Sequence, residues 1–188
     1  MRFVVVGTSG AGKSTFAGAL AAAACCPHVE LDRLYWAPGW QAVPVETFER
    51  SVRAATAEDR WVVDGNYSVV RELLWSRATH IIWLNPSRST VMSRVLSRTM
   101  RRLFLRTPIC NGNRESFRMT FFSKDSILLY AFATFSRNRR KYTALRQDPA
   151  YGHLQWLEIA QSVKASEFVR SQDRGAALRA QVVEQPGT

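Results

Sequence analysis

The chain has 188 residues, of which 46% are hydrophobic and 22% charged. This is the length and composition of one ordinary globular domain, which usually runs to ~100–200 residues. The longest largely apolar run, Ile127–Phe135, is far shorter than the ~20 residues that span a bilayer, and no segment resembles a signal peptide. The three cysteines form no CxxC pair, and their odd number argues against a disulfide framework. We therefore expect a single cytoplasmic domain over residues 1–188 with no membrane partner.

The net charge of +11 is concentrated in one segment. Between Arg88 and Arg146 there are 14 Lys and Arg residues, 12 of them Arg, against only Glu115 and Asp125. Such a concentration points to an anionic partner: phosphate groups, nucleic acid or a membrane surface. We interpret residues 88–146 as a basic helical insertion or lid of the domain.

The hydrophobic pattern alternates between short β-branched runs and helical periods. The predicted strands are Phe3–Val6, His28–Leu31, Trp61–Val63, Thr79–Leu84 and Leu154–Ile159. The predicted helices are Lys13–Ala24, Val45–Glu58, Val69–Trp75, Ser87–Phe104, Arg114–Leu145 (in two pieces) and Ala165–Ser171, with a loop over Arg33–Pro44, a break at Thr107–Gly112 and a frayed tail over 172–188. Strands that alternate with helices predict an α/β fold with a parallel sheet.

The turn after the first predicted strand matches GxxxxGK[ST] in full and opens a helix, which is the P-loop context. In such a loop, backbone N–H groups surround phosphate oxygens and the following helix directs its positive end at them. Lys13 would reach the β- and γ-phosphates, Ser14 would bind Mg²⁺ and Thr15 would contact the α-phosphate. The predicted nucleotide site, for ATP with Mg²⁺, comprises Gly7, Thr8, Ser9, Gly10, Ala11, Gly12, Lys13, Ser14 and Thr15.

Two aspartates end predicted strands, where ligands of parallel α/β sheets bind. Asp64 follows the apolar run Trp61–Val63 and is suited to hold Mg²⁺ or its water, as a Walker-B carboxylate does. Asp32 follows Leu31 and is suited to orient or deprotonate an acceptor hydroxyl. The alternative is that each aspartate only caps a turn, which Asp64-Gly65-Asn66 would form well.

Aromatic and amide side chains follow both aspartates. We expect Trp36, Asn66 and Tyr67 to bind the acceptor together with Asp32, because aromatic rings beside a phosphate site can stack on a base. Tyr35 and Trp40 belong to the same group of rings. The alternative is that these rings simply bury a loop.

Arginines recur at helical spacing within the basic segment, at Arg94, Arg98, Arg101 and Arg102. Arginines on a closing lid neutralise the charge that develops on a transferring phosphoryl group, and we assign Arg98 and Arg102 to this catalytic role. A nucleic-acid-binding face and a plain solvated surface are the two alternatives.

With these motifs the chain resembles the adenylate-kinase-related P-loop proteins, and most closely the family of DNA topology modulation proteins. The resemblance rests on Gly7–Thr15, Leu31–Trp36 with Pro38-Gly39-Trp40, Trp61–Tyr67, Ile82-Trp83-Leu84, the helix with Arg94 and Arg98, and Gly112–Phe117. It implies a P-loop NTPase of the nucleoside-monophosphate-kinase type, in which helices flank a five-stranded parallel sheet and an arginine-rich helical lid covers the site. The family name refers to an effect on DNA topology.

Two departures argue against adenylate kinase activity itself. Adenylate kinases continue the Asp-Gly of this strand end with Phe-Pro-Arg, whereas this chain has Asn66-Tyr67-Ser68 and so lacks the AMP-binding arginine there. The P-loop also lacks their Gly-Lys-Gly-Thr ending. The leading hypothesis is therefore a kinase for a small-molecule or nucleotide acceptor. An ATP-regulated nucleic-acid-binding protein and a nucleotide-binding protein without turnover remain open.

Overall fold

The computed structural model of the protein describes residues 1–105, 111 and 127–183, and the side chains of 102–105, 127–132 and 173–183 lie outside the description. Its strands are β1 (Arg2–Gly7), β2 (His28–Glu30), β3 (Trp36–Ala37), β4 (Gln41–Ala42), β5 (Trp61–Asp64), β6 (His80–Leu84) and β7 (Gln155–Ile159). Five of them form one parallel sheet in the order β2-β5-β1-β6-β7, and β3 pairs with β4 in a small antiparallel hairpin. The central position of β1 places the P-loop at the middle of the sheet edge.

The helices described are α1 (Lys13–Ala23), α2 (Leu31–Tyr35), α3 (Val45–Ala55), α4 (Arg71–Trp75), α5 (Arg88–Leu105), α6 (Ile127–Gln147) and α7 (Ser162–Val183), with 3₁₀ turns at Pro38–Trp40 and Pro149–Tyr151. Within the described ranges, none of these helices is long and apolar enough to cross a membrane.

Both faces of the sheet are covered by helices, because its strands carry apolar residues on both sides. On one face, Trp61 and Val63 pack with Phe48 of α3, Leu74 of α4 and Tyr142 of α6. The other face is a separate cluster that joins α1 and α7 to the sheet: Phe3, Val5, Phe16, Leu20, Val62, Ile82 and Phe168. The predicted five-stranded parallel sheet flanked by helices is confirmed.

The two helices of the basic segment pack against each other through a small cluster of their own. Val91 and Val95 of α5 are fully buried against Phe135 of α6, with Met92 at the side. The predicted break at Thr107–Gly112 and the first part of the predicted helix Arg114–Leu145 fall mostly outside the described residues. The described part of the segment is therefore a pair of packed helices that lies between β6 and β7 in the chain.

Two segments differ from the sequence-based prediction. The expected loop over Arg33–Pro44 contains part of α2 and the β3–β4 hairpin, and Asp32 lies in the first turn of α2 rather than at the end of a strand. These elements have only five and two residues, too few for a periodic pattern. The last helix begins at Ser162 and continues to Val183, through most of the segment expected to be frayed. Its alanines, arginines and glutamines have high helix propensity, which explains the extension.

Gly7, where β1 enters the P-loop, is expected to tolerate no side chain. Its φ is +148°, and a Cβ atom there would lie 2.4 Å from the main-chain oxygen of Leu84. Gly7→Ala should lower the free energy of unfolding by about 3 kcal/mol, from backbone strain and overpacking together. Gly39→Ala is the matched control, since Gly39 also has positive φ (+75°) but open space around it; it should lose only about 1 kcal/mol. Equal losses in urea unfolding would contradict the clash at Gly7.

Candidate active site

The P-loop connects the central strand β1 to α1, and its three glycines adopt backbone angles that side chains disfavour. Gly7, Gly10 and Gly12 have φ of +148°, +84° and +95°. The loop is closed by a hydrogen bond in which the Ala11 N–H donates to the Thr8 oxygen over 3.0 Å. Positive φ at these positions lets a backbone turn N–H groups toward one concavity, which is the geometry that binds phosphate. The sequence motif thus has the local structure that phosphate binding needs.

Lys13 begins α1 and folds back over the loop. Its Nζ donates to the Thr8 oxygen over 3.3 Å. Burial lowers the pKa of Lys13 below its ordinary value, while the carboxylates of Asp32 and Asp64 raise it and the charge of Arg98 lowers it. Two acids predicted for the site and one predicted lid arginine are thus close enough to influence the same ammonium group. A triphosphate at the loop would compensate the positive charge that burial now disfavours.

Ser14 and Asp64 meet beside Lys13, at the junction of α1 and β5. The Ser14 hydroxyl donates to Asp64 Oδ2 over 2.7 Å, and the Asp64 side chain is only 5% exposed. A hydroxyl and a carboxylate are the hard oxygen donors that Mg²⁺ prefers, and such sites use one or two protein oxygens together with substrate phosphates and water. In the part of the chain that the structure describes, no group of three or more His, Cys, Asp or Glu side chains forms a metal cage. The donor pair therefore fits Mg²⁺ held together with a nucleotide.

Asp32 is exposed and is oriented by Tyr67. The Tyr67 hydroxyl donates to Asp32 Oδ1 over 2.7 Å, and burial together with the Asp32 charge and this hydrogen bond raises the Tyr67 pKa. Tyr67 therefore donates this hydrogen bond at neutral pH, and among the described residues no protein donor is bonded to the second carboxylate oxygen of Asp32. Asp32 has the exposure and the fixed orientation that an acceptor-binding carboxylate requires.

The aromatic residues form one connected group next to Asp32. The Tyr35 ring lies 4.6 Å from Tyr67, 5.2 Å from Phe48 and 4.8 Å from Trp36, between ring centroids. Trp36 in turn lies 5.8 Å from Trp40. Tyr35 and Phe48 belong to the packing of α2 on α3, whereas Trp36 and Trp40 are half-buried. The group therefore packs a loop on its inner side and offers partly exposed rings on its outer side.

Asn66 contacts the P-loop rather than open space. Its Nδ2 donates to the Gly7 oxygen over 2.7 Å, and its Oδ1 accepts from the Gly7 N–H at 3.3 Å and from the Tyr142 hydroxyl at 2.8 Å. This side chain joins the ends of β5 and β1 to helix α6. The predicted acceptor-binding role of Asn66 stays a prediction, and the side chain is hydrogen-bonded to the P-loop and to Tyr142.

The arginines of α5 differ in what they contact. Arg94 Nη1 donates to the Ala11 oxygen of the P-loop over 3.1 Å, and its Nη2 donates to the Ser162 hydroxyl over 2.8 Å. Arg94, Arg98 and Arg101 line a groove of about 500 Å³ along α5, and Arg98 acts electrostatically on Lys13. The side chain of Arg102 lies outside the described residues. Of the two predicted catalytic arginines, Arg98 is therefore placed near enough to the phosphate loop for its charge to act on Lys13.

Three contacts at the site were not predicted from the sequence: those of His28 with Asp64, of Tyr142 with Asn66 and of Arg94 with the P-loop. His28 Nε2 lies 2.9 Å from Asp64 Oδ1. The register of β2 on β5 pairs His28 with Val62, so its side chain shares a sheet face with Asp64 two residues on. That neighbouring pair could have been found by assuming that β2 and β5 are adjacent. The contacts of Tyr142 and Arg94 follow from the way α5 and α6 pack near the sheet, and no local sequence pattern predicts that packing.

The fold is that of P-loop kinases. A solved structure of a gluconokinase from Sinorhizobium meliloti is similar to this chain, with a TM-score of 0.51 and 21% sequence identity over 97% of this chain and 94% of that protein. An uncharacterised protein from Eubacterium ventriosum aligns with a TM-score of 0.49 and 14% identity over 92% of this chain and 99% of its own. No family model and no curated protein sequence matches the chain. The resemblance to DNA topology modulation proteins thus stays a prediction.

Asn66→Asp is expected to destabilise the protein through the P-loop. An Asp oxygen in place of Nδ2 would face the Gly7 oxygen at 2.7 Å, so two acceptors would meet where a hydrogen bond exists now. We expect a loss of about 2–3 kcal/mol in the free energy of unfolding, against about 1 kcal/mol for Tyr142→Phe, which leaves Oδ1 its bond from the Gly7 N–H. Unchanged urea unfolding of Asn66→Asp, with an altered KM for the acceptor, would instead support the predicted substrate contact.

Proposed function

We propose that this protein is an ATP- and Mg²⁺-dependent phosphotransferase that moves the γ-phosphate to a hydroxyl of a small-molecule or nucleotide acceptor. One observation carries the proposal: two neighbouring P-loop residues face separate carboxylates, since Ser14 donates to Asp64 over 2.7 Å and the charges of Asp64 and Asp32 both act on Lys13. Asp64 is buried and bonded to Ser14, as a group on the metal side of a nucleotide would be. Asp32 is exposed and oriented by Tyr67, as a group for an acceptor would be.

In this proposal each residue has a distinct task. The P-loop N–H groups and Lys13 hold the β- and γ-phosphates and neutralise their charge. Ser14 and Asp64 would hold Mg²⁺, which when bound would supply charge neutralisation and orient the phosphates. Because Tyr67 occupies Oδ1 of Asp32, Oδ2 remains to accept a hydrogen bond from the acceptor hydroxyl.

The transfer itself is a substitution at the γ-phosphorus. The acceptor oxygen forms a bond to phosphorus while the bond to the β–γ bridging oxygen breaks, so ADP leaves and Asp32 takes the acceptor proton. Arg98, and in the proposal Arg102, would neutralise the charge on the transferring group when the α5–α6 pair closes over the site. In this proposal the α5–α6 pair is a lid within the single domain of residues 1–188 and covers its phosphate site.

The proposal is tested by a transfer screen with γ-labelled ATP across nucleosides, nucleotides and small polyols, sugar acids included because one protein of similar fold is a gluconokinase. Label should move to one acceptor class, and the transfer should require Mg²⁺. Asp32→Asn is the informative variant, since it keeps the bond from Tyr67 possible but removes the proton acceptor. ATP binding without transfer to any acceptor would instead make the chain a nucleotide-binding protein without turnover.

A nucleic-acid-binding function is the second candidate, and it rests on a different surface. Arg137, Arg139 and Arg140 of α6 are exposed, and none forms an ion pair with a carboxylate among the described residues. If they contact a DNA backbone, the binding constant should fall steeply with salt, roughly 10-fold or more between 50 and 200 mM for three or more phosphate contacts. The binding constant is measured at each salt concentration by fluorescence anisotropy with a labelled DNA duplex. The comparison is a triple variant in which Gln replaces Arg137, Arg139 and Arg140. If the triple variant binds the duplex as tightly as the unmodified chain, these three arginines do not form a DNA-binding surface.

A further inference from the structure

His28 lies behind the buried carboxylate of the candidate magnesium site. It is the first residue of β2, at the edge of the sheet, and it points to the same face as Asp64. Its Nε2 is 2.9 Å from Asp64 Oδ1, and the side chains are 20% and 5% exposed. On its other side the ring is close to α1, where a Cβ atom at Gly18 would sit 3.6 Å from Nδ1. The imidazole is thus held between α1 and the carboxylate.

The contact divides the carboxylate oxygens of Asp64 between two donors. Oδ2 accepts from the Ser14 hydroxyl at 2.7 Å, and Oδ1 accepts from His28. A carboxylate that holds a metal ion carries no proton, so in the proposed site the hydrogen between Asp64 and His28 belongs to Nε2. Two donors on opposite oxygens prevent the carboxylate from rotating about its Cβ–Cγ bond. The hydrogen bond from His28 therefore helps to fix the orientation of the carboxylate that Ser14 contacts.

We propose that His28 is a positioning residue for the magnesium-bound nucleotide, because it fixes the orientation in which Asp64 and Ser14 present their oxygens. Groups that orient metal-binding carboxylates act in this way, and their loss typically weakens metal affinity ~10–100-fold. The inference rests on the proposed function only in that Mg²⁺ and a nucleotide bind together at the P-loop. It does not depend on which acceptor is used, or on whether transfer occurs.

The alternative is that His28 only satisfies a buried carboxylate and has no role toward the metal. The two roles differ in what they predict for binding. A purely structural histidine would, when replaced, change stability and change nucleotide affinity equally with and without Mg²⁺. A positioning histidine would change the part of the affinity that Mg²⁺ contributes.

The test is calorimetric titration of the full chain with ADP, once with Mg²⁺ and once with EDTA. In His28→Phe, which keeps a ring but has no donor, the gain in affinity from Mg²⁺ should fall about 10-fold, while the affinity in EDTA stays within roughly 3-fold. His28→Gln should restore most of the gain, because its amide nitrogen reaches about as far as Nε2. His28→Leu is a second donor-free variant should the phenylalanine protein not fold, and thermal unfolding of each variant confirms that the titrated protein is native.

Two results would overturn the inference: a full Mg²⁺ gain in a folded donor-free variant, or equal weakening in Mg²⁺ and in EDTA. The proposed function fails separately. If the unmodified chain binds ADP more tightly with Mg²⁺ and loses that gain in His28→Phe, His28 has the assigned role even when no acceptor in the transfer screen is labelled.

Discussion

Lys13→Ala is expected to lower phosphoryl transfer by roughly 10²–10³-fold or more while the protein stays folded. Lys13 is the only lysine of the P-loop motif, and its ammonium group lies against the Thr8 oxygen at the loop, where a triphosphate would bring its charge. Without that group, negative charge that develops on the β–γ bridging oxygen has no fixed counter-charge at this position. The measurement is the initial rate of transfer from γ-labelled ATP at saturating nucleotide.

The fold should survive because burial already disfavours the charged form of Lys13 and lowers its pKa. Removing the ammonium group removes this unfavourable burial along with one hydrogen bond to a main-chain oxygen, so the net change in stability should be within about 1 kcal/mol. Lys164→Ala is the matched control, since Lys164 is exposed on α7 and no hydrogen bond among the described residues joins it to the P-loop; the variant should transfer at the unmodified rate. A folded Lys13→Ala protein with undiminished transfer would end the phosphotransferase proposal.

The parts of the molecule that the sequence predicts are those whose physics is local. The P-loop was recognisable by its GxxxxGK[ST] motif, whose two fixed glycines, Gly7 and Gly12, have positive φ, as Gly10 between them also does. The strands and longer helices follow from apolar periodicity, and their observed ends differ from the predicted ones by a few residues in most cases. The parallel sheet follows from alternating strands and helices, whereas the central position of β1 is known only from the structure.

The parts that escaped prediction depend on contacts between distant positions. The bonds that organise the site join His28 to Asp64, Asn66 to Gly7 and Arg94 to Ala11, pairs that are 36, 59 and 83 residues apart. No periodic pattern encodes which polar side chain will meet which main-chain group after the sheet forms. Asn66 illustrates the consequence: its amide is bonded to the P-loop and to Tyr142, two contacts that its position in the sequence did not indicate.

Asp64→Asn is expected to separate nucleotide binding with Mg²⁺ from binding without it. The substitution keeps the size of the side chain but removes its charge, so the Mg²⁺-dependent gain in ATP affinity should be largely lost and transfer should fall about 10²-fold. In EDTA the same variant should bind ATP at least as tightly as the unmodified chain, because one negative charge near the phosphates is gone. The two affinities, measured by calorimetry, should therefore move in opposite directions.

Opposite changes of the ATP affinity in Mg²⁺ and in EDTA distinguish a carboxylate that binds the metal from one with a purely structural role. Asp64 is 5% exposed and accepts from both Ser14 and His28, so an amide that donates toward either of them also perturbs the local hydrogen bonds. Such a perturbation alone would weaken ATP binding in Mg²⁺ and in EDTA together. Asp32→Asn provides the internal comparison: Asp32 is exposed and bonded to Tyr67, so its loss should slow transfer without reducing the Mg²⁺-dependent gain. If both variants lose that gain equally, the division of the site into a metal side at Asp64 and an acceptor side at Asp32 is incorrect.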